Sequence, residues 1–299
     1  MGIWKKIKKQ DLVKLERHAA NHEPYCHLNV IDLWAYKITE NYWFELGDTI
    51  IYKLNDYSAG HLYITLQGDK DVRPGITKLA SSLTAKNTIT LKCVPELAKK
   101  NIEKWQAVKS IKEDKDNHDY IFDVDKVINF SSKVQKNKSK KIRQLLNKHP
   151  NIRDEVIDLT DQKNRIKIYA IFKNWILQTG AKDWKREYNA LKRAIKMPDS
   201  KLICIGFFDD KKMIGYTINR PEKNGYYQAY FGKSDRTYNS LSLYQEYATA
   251  KFMKQTFGCK YMNLQPDSGI SGLRQYKNSL GPSKKLLKYI VEIDVSKLS

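Results

Sequence analysis

The sequence predicts an α/β (α+β) protein built from two similar modules. Its 299 residues are enough for two domains of about 150 residues each. Both halves show the same order of elements, which is three antiparallel strands, a helix, a strand, a helix and a strand. The segments that close the two halves are also alike, since Tyr120–Val124 and Tyr289–Val295 share a Tyr-Ile start and an Asp-Val end. We therefore expect an N-terminal module at 1–125 and a C-terminal module at 126–299.

Hydrophobic periodicity defines the elements of the C-terminal half most clearly. Leu202–Phe208 is a continuous apolar run, typical of a buried strand, and a charged turn separates it from a second strand at Met213–Asn219. The pattern then predicts a strand at 226–231, a helix at 240–257, a strand at 260–264, a short helix at 271–277 and a strand at 286–295. Further helices are expected at 134–148, 166–179 and 184–195.

The N-terminal half repeats this order with little shared sequence. The expected elements are strands at 43–46, 49–54 and 61–66, a helix at 75–83, a strand at 88–94, a helix at 95–106 and a strand at 120–124. This order is that of a GNAT-type acyltransferase module. The chain is thus expected to hold two tandem GNAT-like modules, each a mixed, mostly antiparallel sheet flanked by helices.

Charge is the first indication of function. Lysine and arginine number 54 against 33 acidic residues, which gives a formal charge of +21. Such an excess favours a polyanionic partner such as RNA or an anionic membrane surface, although a generally lysine-rich surface is an open alternative. The segment 131–150 holds seven basic residues and no acidic one. Within it, we expect RNA to be bound by Lys138, Lys140, Lys141 and Arg143.

Several classes of protein are disfavoured by the sequence. No stretch approaches the roughly 18 apolar residues of a membrane span. The four cysteines have no paired spacing, which argues against a zinc ribbon or a disulfide framework and favours a cytoplasmic location. His18 and His22 are four residues apart, but no ligand set completes a metal site, so no metal is expected.

One segment carries a specific signature. From Asn263 to Pro282 the chain resembles the pattern Asn-x-Glu-x-Asp-x-Gly-x-x-Gly-Leu-Arg-x-x-Lys-x-Ser-x-x-Pro. This pattern is typical of stand-alone relatives of the C-terminal domain of phosphatidylglycerol lysyltransferase. Weaker similarity at 29–34 and 138–146 extends the resemblance over most of the chain. The resemblance implies tandem GNAT-like modules and transfer of an aminoacyl group from aminoacyl-tRNA, with no metal or bound cofactor.

The signature also supplies candidate catalytic residues. Asp267 follows a predicted strand, where the carboxyl edge of an open sheet binds ligands. Arg274 and Lys277 lie three apart on the next helix and so share a face. The functional interpretation assigns the substrate's amino or hydroxyl group to Asp267 and an anionic group to the two cations. A buried ion pair that fixes the loop is the alternative. We expect residues 263–282 to line a solvent-reachable crevice.

Substrate-binding candidates surround this segment. The resemblance implies such a role for Asn263, and for Lys233 at the end of the third strand. Gln265 is a further substrate-binding candidate, although the family usually has a glutamate there. The chain also departs from the family pattern at Ala229–Phe231, where a general base is usual. Glu187, which fits the family's acidic position on a preceding helix, is a substrate-binding candidate that could replace this general base. Tyr230 is a candidate stacking surface for an unpaired 3′ end.

The donor is predicted from the loop before the helix at 240–257. Acetyl-CoA enzymes place glycines there so that N–H groups reach the pyrophosphate, whereas this chain has Leu241, whose side chain would occupy the phosphate position. The leading hypothesis is therefore an aminoacyl-tRNA-dependent aminoacyltransferase with a lipid, peptide or small amine acceptor. The alternatives are an acyl-CoA-dependent N-acyltransferase and a non-catalytic protein that binds RNA or an anionic membrane.

Overall fold

The computed structural model describes residues 3–56, 60–83, 87–130, 133–182, 184–197 and 200–298. The strands are β1 Lys5–Lys6, β2 Tyr42–Leu46, β3 Thr49–Asn55, β4 Leu62–Gln67, β5 Thr88–Pro95, β6 Val108–Glu113, β7 Asp119–Asp123, β8 Ile152–Ile157, β9 Ile203–Asp209, β10 Lys212–Pro221, β11 Tyr226–Ser234, β12 Tyr261–Asn263, β13 Lys284–Leu286 and β14 Lys288–Asp294. The helices are α1 Leu12–Ala19, α2 Val30–Ala35, α3 Arg73–Ser82, α4 Glu96–Ile102, α5 Val124–Asn129, α6 Lys133–Lys148, α7 Gln162–Thr179, α8 Trp184–Ile195, α9 Leu241–Phe257 and α10 Ser271–Ser279.

The chain forms two compact units. The first comprises Met1–Asp119, Pro266–Ser271 and Lys285–Ser299. Its seven-stranded sheet has the order β1-β2-β3-β4-β5-β14-β6. The neighbouring strands pair antiparallel except for β4 and β5, which are parallel. Buried side chains of α3 and α4, such as Ile76 and Ala98, pack in one hydrophobic cluster with Leu91 and Val291 of this sheet.

The second unit comprises Tyr120–Gln265 and Gly272–Lys284. Its sheet has the order β8-β9-β10-β11-β12-β7-β13, and β11 and β12 are its parallel pair. The two sheets therefore have the same topology, with three antiparallel strands followed by a parallel pair and an antiparallel strand. This is the mixed, mostly antiparallel α/β arrangement that the sequence predicted.

The closing strands are exchanged between the two halves of the sequence. β7 comes from the N-terminal half and pairs with β12 in the second sheet, whereas β14 comes from the C-terminal end and pairs with β5 and β6 in the first. The chain thus leaves the first unit at residue 119, near the expected boundary at 125. Residues 285–299, which the expected boundary places in the C-terminal module, belong to the first unit.

Helices of the second unit are fixed by their apolar faces and their ends. Ile142 and Leu145 of α6 are buried and pack in one cluster with Tyr244 and Ala248 of α9. The side chain of Asp161 accepts a hydrogen bond from the first turn of α7, and Gly180 ends that helix with φ of 62°. The basic helix α6 is therefore held by an apolar face that leaves its remaining surface in solvent.

A buried ion pair lies where the chain enters β7 and β14. The Lys288 Nζ atom is 2.8 Å from the Asp119 Oδ1 atom, and the two side chains are 1% and 0% exposed. Burial by itself lowers the pKa of the Lys288 ammonium, but the neighbouring Asp119 carboxylate raises this pKa and the net shift is upward. The Asp119 Oδ2 atom also accepts the Cys26 N–H. The pair is therefore charged and hydrogen bonded inside the first unit.

We expect Lys288→Met to lower the free energy of unfolding by about 3–5 kcal/mol, because it leaves the Asp119 carboxylate buried without its counter-charge. Urea denaturation measures the change. The double variant Lys288→Met with Asp119→Leu should recover most of the loss, and Lys70→Met, which breaks the exposed pair with Asp48, should leave stability nearly unchanged. A Lys288→Met protein as stable as the unsubstituted chain would contradict this assignment.

Candidate functional site

The parallel strands β11 and β12 pair over a short length and then separate. Their register joins Tyr226 to Tyr261, Tyr227 to Met262 and Gln228 to Asn263. β12 ends at Asn263, whereas β11 continues to Ser234 and has an irregular register with β10 around Ile218 and Asn219. Ligands bind in open α/β sheets at the carboxyl ends of strands. This strand end is therefore the candidate site of the second unit.

A buried amide without a hydrogen-bond partner lies at this strand end. Gln228 has no exposed surface, and neither its Oε1 nor its Nε2 atom has a partner among the described residues. Its register partners on either side are Arg220 and Asn263, so these three side chains share one face of the sheet. A buried amide is normally hydrogen bonded, and each exception calls for an explanation.

Arg220, Gln228 and Asn263 form a polar row across the sheet, and Gln265 follows it just beyond the end of β12. The Arg220 guanidinium is 4% exposed and lies 3.3 Å from the Glu222 carboxylate. Gln265 follows the end of β12 in a left-handed conformation with φ of 62°, and its Nε2 atom is buried without a partner among the described residues. The predicted substrate-binding residues Asn263 and Gln265 are therefore brought next to each other, and the Asn263 Oδ1 atom accepts the Gln265 N–H at 2.7 Å.

Glu187 and Lys233, which the sequence proposed separately, form an ion pair. The Lys233 Nζ atom lies 2.7 Å from the Glu187 Oε1 atom, and both side chains are largely buried. The ammonium also lies over the ring of Trp175 on α7, 4.1 Å from its centroid. Tyr230 is 5% exposed and donates its hydroxyl to Glu222 at 3.0 Å. Its ring thus has little free surface for base stacking.

The three predicted catalytic residues are packed rather than exposed. Asp267 has no exposed surface and belongs to the first unit, where its carboxylate accepts the Gly269 N–H at 2.9 Å. Lys277 is 5% exposed, and its Nζ atom donates to the carbonyls of Leu264 and Gln265 at 2.6 and 2.9 Å. Arg274 is half-buried on the same helix. The expected solvent-reachable crevice is thus closed at Asp267 and Lys277.

The four predicted RNA-binding residues divide into two groups. Lys140, Lys141 and Arg143 are exposed on α6, and no ion pair joins them to a carboxylate within the described part of the chain. Lys138 is half-buried instead, and its Nζ atom donates to the Leu280 carbonyl at 2.9 Å. Burial lowers the pKa of Lys138, and the charge of nearby Glu246 opposes this effect. Three of the four predicted RNA-binding side chains are therefore exposed to solvent.

Glu246 is a titratable group that the sequence did not indicate. It lies on α9 beside a small cavity that Lys138 also lines, and it accepts a hydrogen bond from the Tyr276 hydroxyl. Burial raises the pKa of Glu246 to about 7, while the Tyr276 hydrogen bond and the charges of Lys138 and Lys277 lower it. A glutamate on a helix ordinarily faces solvent, so only the packing of α6 and α10 could have shown this shift.

The loop between β11 and α9 is closed by a carboxylate. Asp235 is 4% exposed, and its carboxylate accepts hydrogen bonds from Thr237 and Gln178. The Gln178 Oε1 atom in turn accepts the Arg236 N–H. Although burial raises the pKa of Asp235, these hydrogen bonds lower it below its usual range. The Asp235 carboxylate thus accepts the Thr237 N–H in the loop before α9.

The prediction that the Leu241 side chain occupies a phosphate position is wrong. This side chain is 1% exposed and packs in the core with Ile205, Phe207 and Ile214. It therefore points into the protein and does not occupy a phosphate position.

The two sheets and their flanking helices form a tandem GNAT-like α/β fold. A tandem GNAT protein from the clavulanic acid biosynthesis pathway is similar with a TM-score of 0.52 at 11% identity, over 98% of each chain. Within the described residues, no helix is long and apolar enough to cross a membrane, and no group of three or more His, Cys, Asp or Glu side chains could hold a metal.

Two further solved structures are more similar. A conserved protein of unknown function from Bacteroides thetaiotaomicron has a TM-score of 0.85 at 18% identity, over 98% of this chain and 100% of its own. The C-terminal domain of a protein assigned as lysylphosphatidylglycerol synthetase from Agrobacterium fabrum has a TM-score of 0.64 at 9% identity, over 95% and 91%. These neighbours match the family that the 263–282 signature indicated, and at these identities they establish the fold. No protein-family profile and no curated protein matches the sequence.

We expect Glu246→Gln to stabilise the protein increasingly as the pH rises. Because the folded pKa of about 7 exceeds the unfolded value of 4.5, the protonated carboxyl favours folding below the unfolded pKa, and this advantage is lost as the pH rises through about 7. The variant should therefore gain up to about 3 kcal/mol over the unsubstituted chain between about pH 4 and pH 8. Urea titrations at each pH measure this difference, with the exposed Glu155→Gln as the control. A difference that does not vary with pH would refute it.

We expect Gln228→Leu to raise the free energy of unfolding by about 1–3 kcal/mol, because a buried unpartnered amide costs stability and leucine has a similar volume. Gln245→Leu is the matched control. Gln245 is 4% exposed in the same unit, but its amide donates to the Lys233 carbonyl at 3.1 Å, so this variant should be destabilised. Thermal or urea unfolding of the pair distinguishes them, and equal losses would show that Gln228 is partnered in solution.

Proposed function

We propose that this chain is an aminoacyl-tRNA-dependent aminoacyltransferase whose second unit transfers the aminoacyl group to a lipid, peptide or small amine. The observation that carries the proposal is the display of Lys140, Lys141 and Arg143 from α6. These cations are exposed and lack carboxylate partners in the described chain, while the inner face of α6 is fixed in the core of the unit that holds the polar row. Cations held in this way suit the phosphates of an RNA acceptor stem.

The strand-end site supplies the groups that the reaction needs. The Gln228 amide offers a donor for a carbonyl or developing oxyanion and an acceptor for an amine or hydroxyl. Because Gln228 has no exposed surface, a substrate reaches its amide only when the surrounding side chains move. Lys233 lies five residues further along β11, about 16 Å at the strand rise of 3.3 Å. We assign to the Lys233–Glu187 ion pair the binding of a separate part of a long substrate. The attacking amine or hydroxyl forms the new bond to the aminoacyl carbonyl carbon as the bond to the tRNA ribose oxygen breaks, and its proton passes to that departing oxygen.

The predicted catalytic residues receive positioning roles in this proposal. Lys277 holds the end of β12 through the carbonyls of Leu264 and Gln265, and so fixes one wall of the site. Asp267 fixes the turn that follows through the Gly269 N–H. We assign to Arg274, half-buried one turn before Lys277, a supporting role on the same helix.

An acyl-CoA-dependent N-acyltransferase is the second candidate. It is favoured by the inward packing of Leu241, which leaves the start of α9 free of that side chain. The tandem GNAT neighbour is described as a form without AcCoA, which makes this thioester a donor to consider for the fold. The Asp235 carboxylate opposes this candidate, since it would repel a pyrophosphate at the same loop.

The test compares two variants that each remove three positive charges. Lys140→Gln, Lys141→Gln and Arg143→Gln together change α6, and Lys163→Gln, Lys167→Gln and Lys173→Gln together change the exposed lysines of α7. We expect the unsubstituted chain to bind tRNA with a log–log salt slope of about −3 to −4, and the α6 variant to lose about 2–3 of that slope. The α7 variant should bind tRNA nearly as the unsubstituted chain does.

Three outcomes decide between the candidates. A flat salt response, or equal losses in both variants, would remove the RNA donor. Titration calorimetry with coenzyme A then tests the second candidate, which micromolar binding supports.

Transfer of radiolabelled amino acid from aminoacyl-tRNA to total lipid and peptide acceptors tests turnover, and Gln228→Leu should abolish transfer while leaving tRNA affinity unchanged. Transfer activity that survives this substitution would refute the assigned site.

A further inference from the structure

Helix α7 has a second apolar face that nothing in the described part of the chain covers. Its inner face packs on the sheet through Ile168, Ile171 and Phe172, which are buried. At 100° per residue, Ile166 and Leu177 lie on the opposite side of the helix, together with the exposed Ala170 between them. Ile166 is 58% exposed and Leu177 is 83% exposed. The outer face therefore carries Ile166 and Ala170 near its start and Leu177 three turns after Ile166, with Lys173 between Ala170 and Leu177.

Positive charge flanks these apolar side chains on both sides. The helix contains four basic residues and no acidic one. Lys163, Lys167 and Lys173 are exposed, and no carboxylate of the described chain forms an ion pair with them. A helix on the surface of a globular protein normally places polar side chains opposite its buried face. Here that position combines exposed aliphatic side chains with cations that no described carboxylate neutralises.

We propose that the outer face of α7 is a docking surface for an anionic lipid bilayer. Aliphatic side chains between lysines are the pattern of a helix that lies in a membrane interface, where the side chains enter the acyl boundary and the cations meet lipid phosphates. Nucleic acid would bind the lysines but gain nothing from Leu177. A second copy of this chain is disfavoured, since each copy carries a net charge of +21. The inference is independent of the transferase proposal.

The experiment measures binding of the full chain to vesicles. We expect it to sediment with vesicles of phosphatidylcholine containing about one-third phosphatidylglycerol, and not with vesicles of phosphatidylcholine alone. Ile166→Gln with Leu177→Gln leaves the charge unchanged and should weaken the partition at least about tenfold, because it removes the apolar contribution. Leu62→Gln with Leu97→Gln is the matched control, since these leucines are 44% and 47% exposed in the first unit.

Charge variants separate this surface from α6. Neutralising Lys163, Lys167 and Lys173 should weaken vesicle binding more than neutralising Lys140, Lys141 and Arg143, which reverses the order expected for tRNA. The proposal is overturned if the unsubstituted chain ignores anionic vesicles, if the control weakens binding equally, or if the α6 variant loses more. Light scattering gives a further check, because a dimer that Ile166→Gln with Leu177→Gln dissociates would make this face a protein interface.

Discussion

The exchange of the closing strands is the constraint on which the rest of the structure depends. Neither sheet is complete without a strand from the other half of the sequence, because β7 flanks β12 and β14 flanks β5. In each sheet the exchanged strand pairs antiparallel with one member of the parallel pair. The buried contact between Lys288 and Asp119 lies at the start of both exchanged strands. The geometry of each strand end is thus fixed by long-range pairing rather than by local turns.

The two parallel strand ends share a topology but differ in how their polar groups are satisfied. In the first unit, both backbone polar groups of Cys93, near the end of β5, have partners. The Cys93 carbonyl accepts a hydrogen bond from the Thr65 hydroxyl and contacts the His27 ring, and the Cys93 N–H donates to the Asp114 carboxylate. In the second unit, the Gln228 amide has no partner among the described residues. A satisfied strand end is structural, whereas an unsatisfied one retains a cost that a ligand can remove. The His27 Nδ1 atom of the first unit is also buried without a described partner, so the unpartnered Gln228 amide supports the proposed site in the second unit together with the exposed cations of α6.

The sequence predicted most of the elements because their apolar periodicity is local, as at Leu202–Phe208. It missed β6, whose sequence Val-Lys-Ser-Ile-Lys-Glu resembles a charged loop. It could not predict the strand exchange, since two closing strands of similar sequence fit either sheet. For the candidate site, the family resemblance indicated Glu187 and Lys233, which form an ion pair, and their role there stays a prediction. Gln228 went unnoticed because a glutamine becomes informative only when its three-dimensional surroundings leave it without a partner.

Two helices of different character, α6 and α7, each contain several basic residues and no acidic one. The outer face of α6 offers cations without large apolar neighbours, and a polyanion in water gains from such a surface mainly through counterion release. The outer face of α7 adds Ile166 and Leu177, whose exposure favours a partner with an apolar interior. Lys138 marks the limit of the α6 surface, because the Leu280 carbonyl holds it inward. The two helices thus present two groups of exposed cations that differ in their apolar neighbours, and this difference is the reason for proposing a different partner for each.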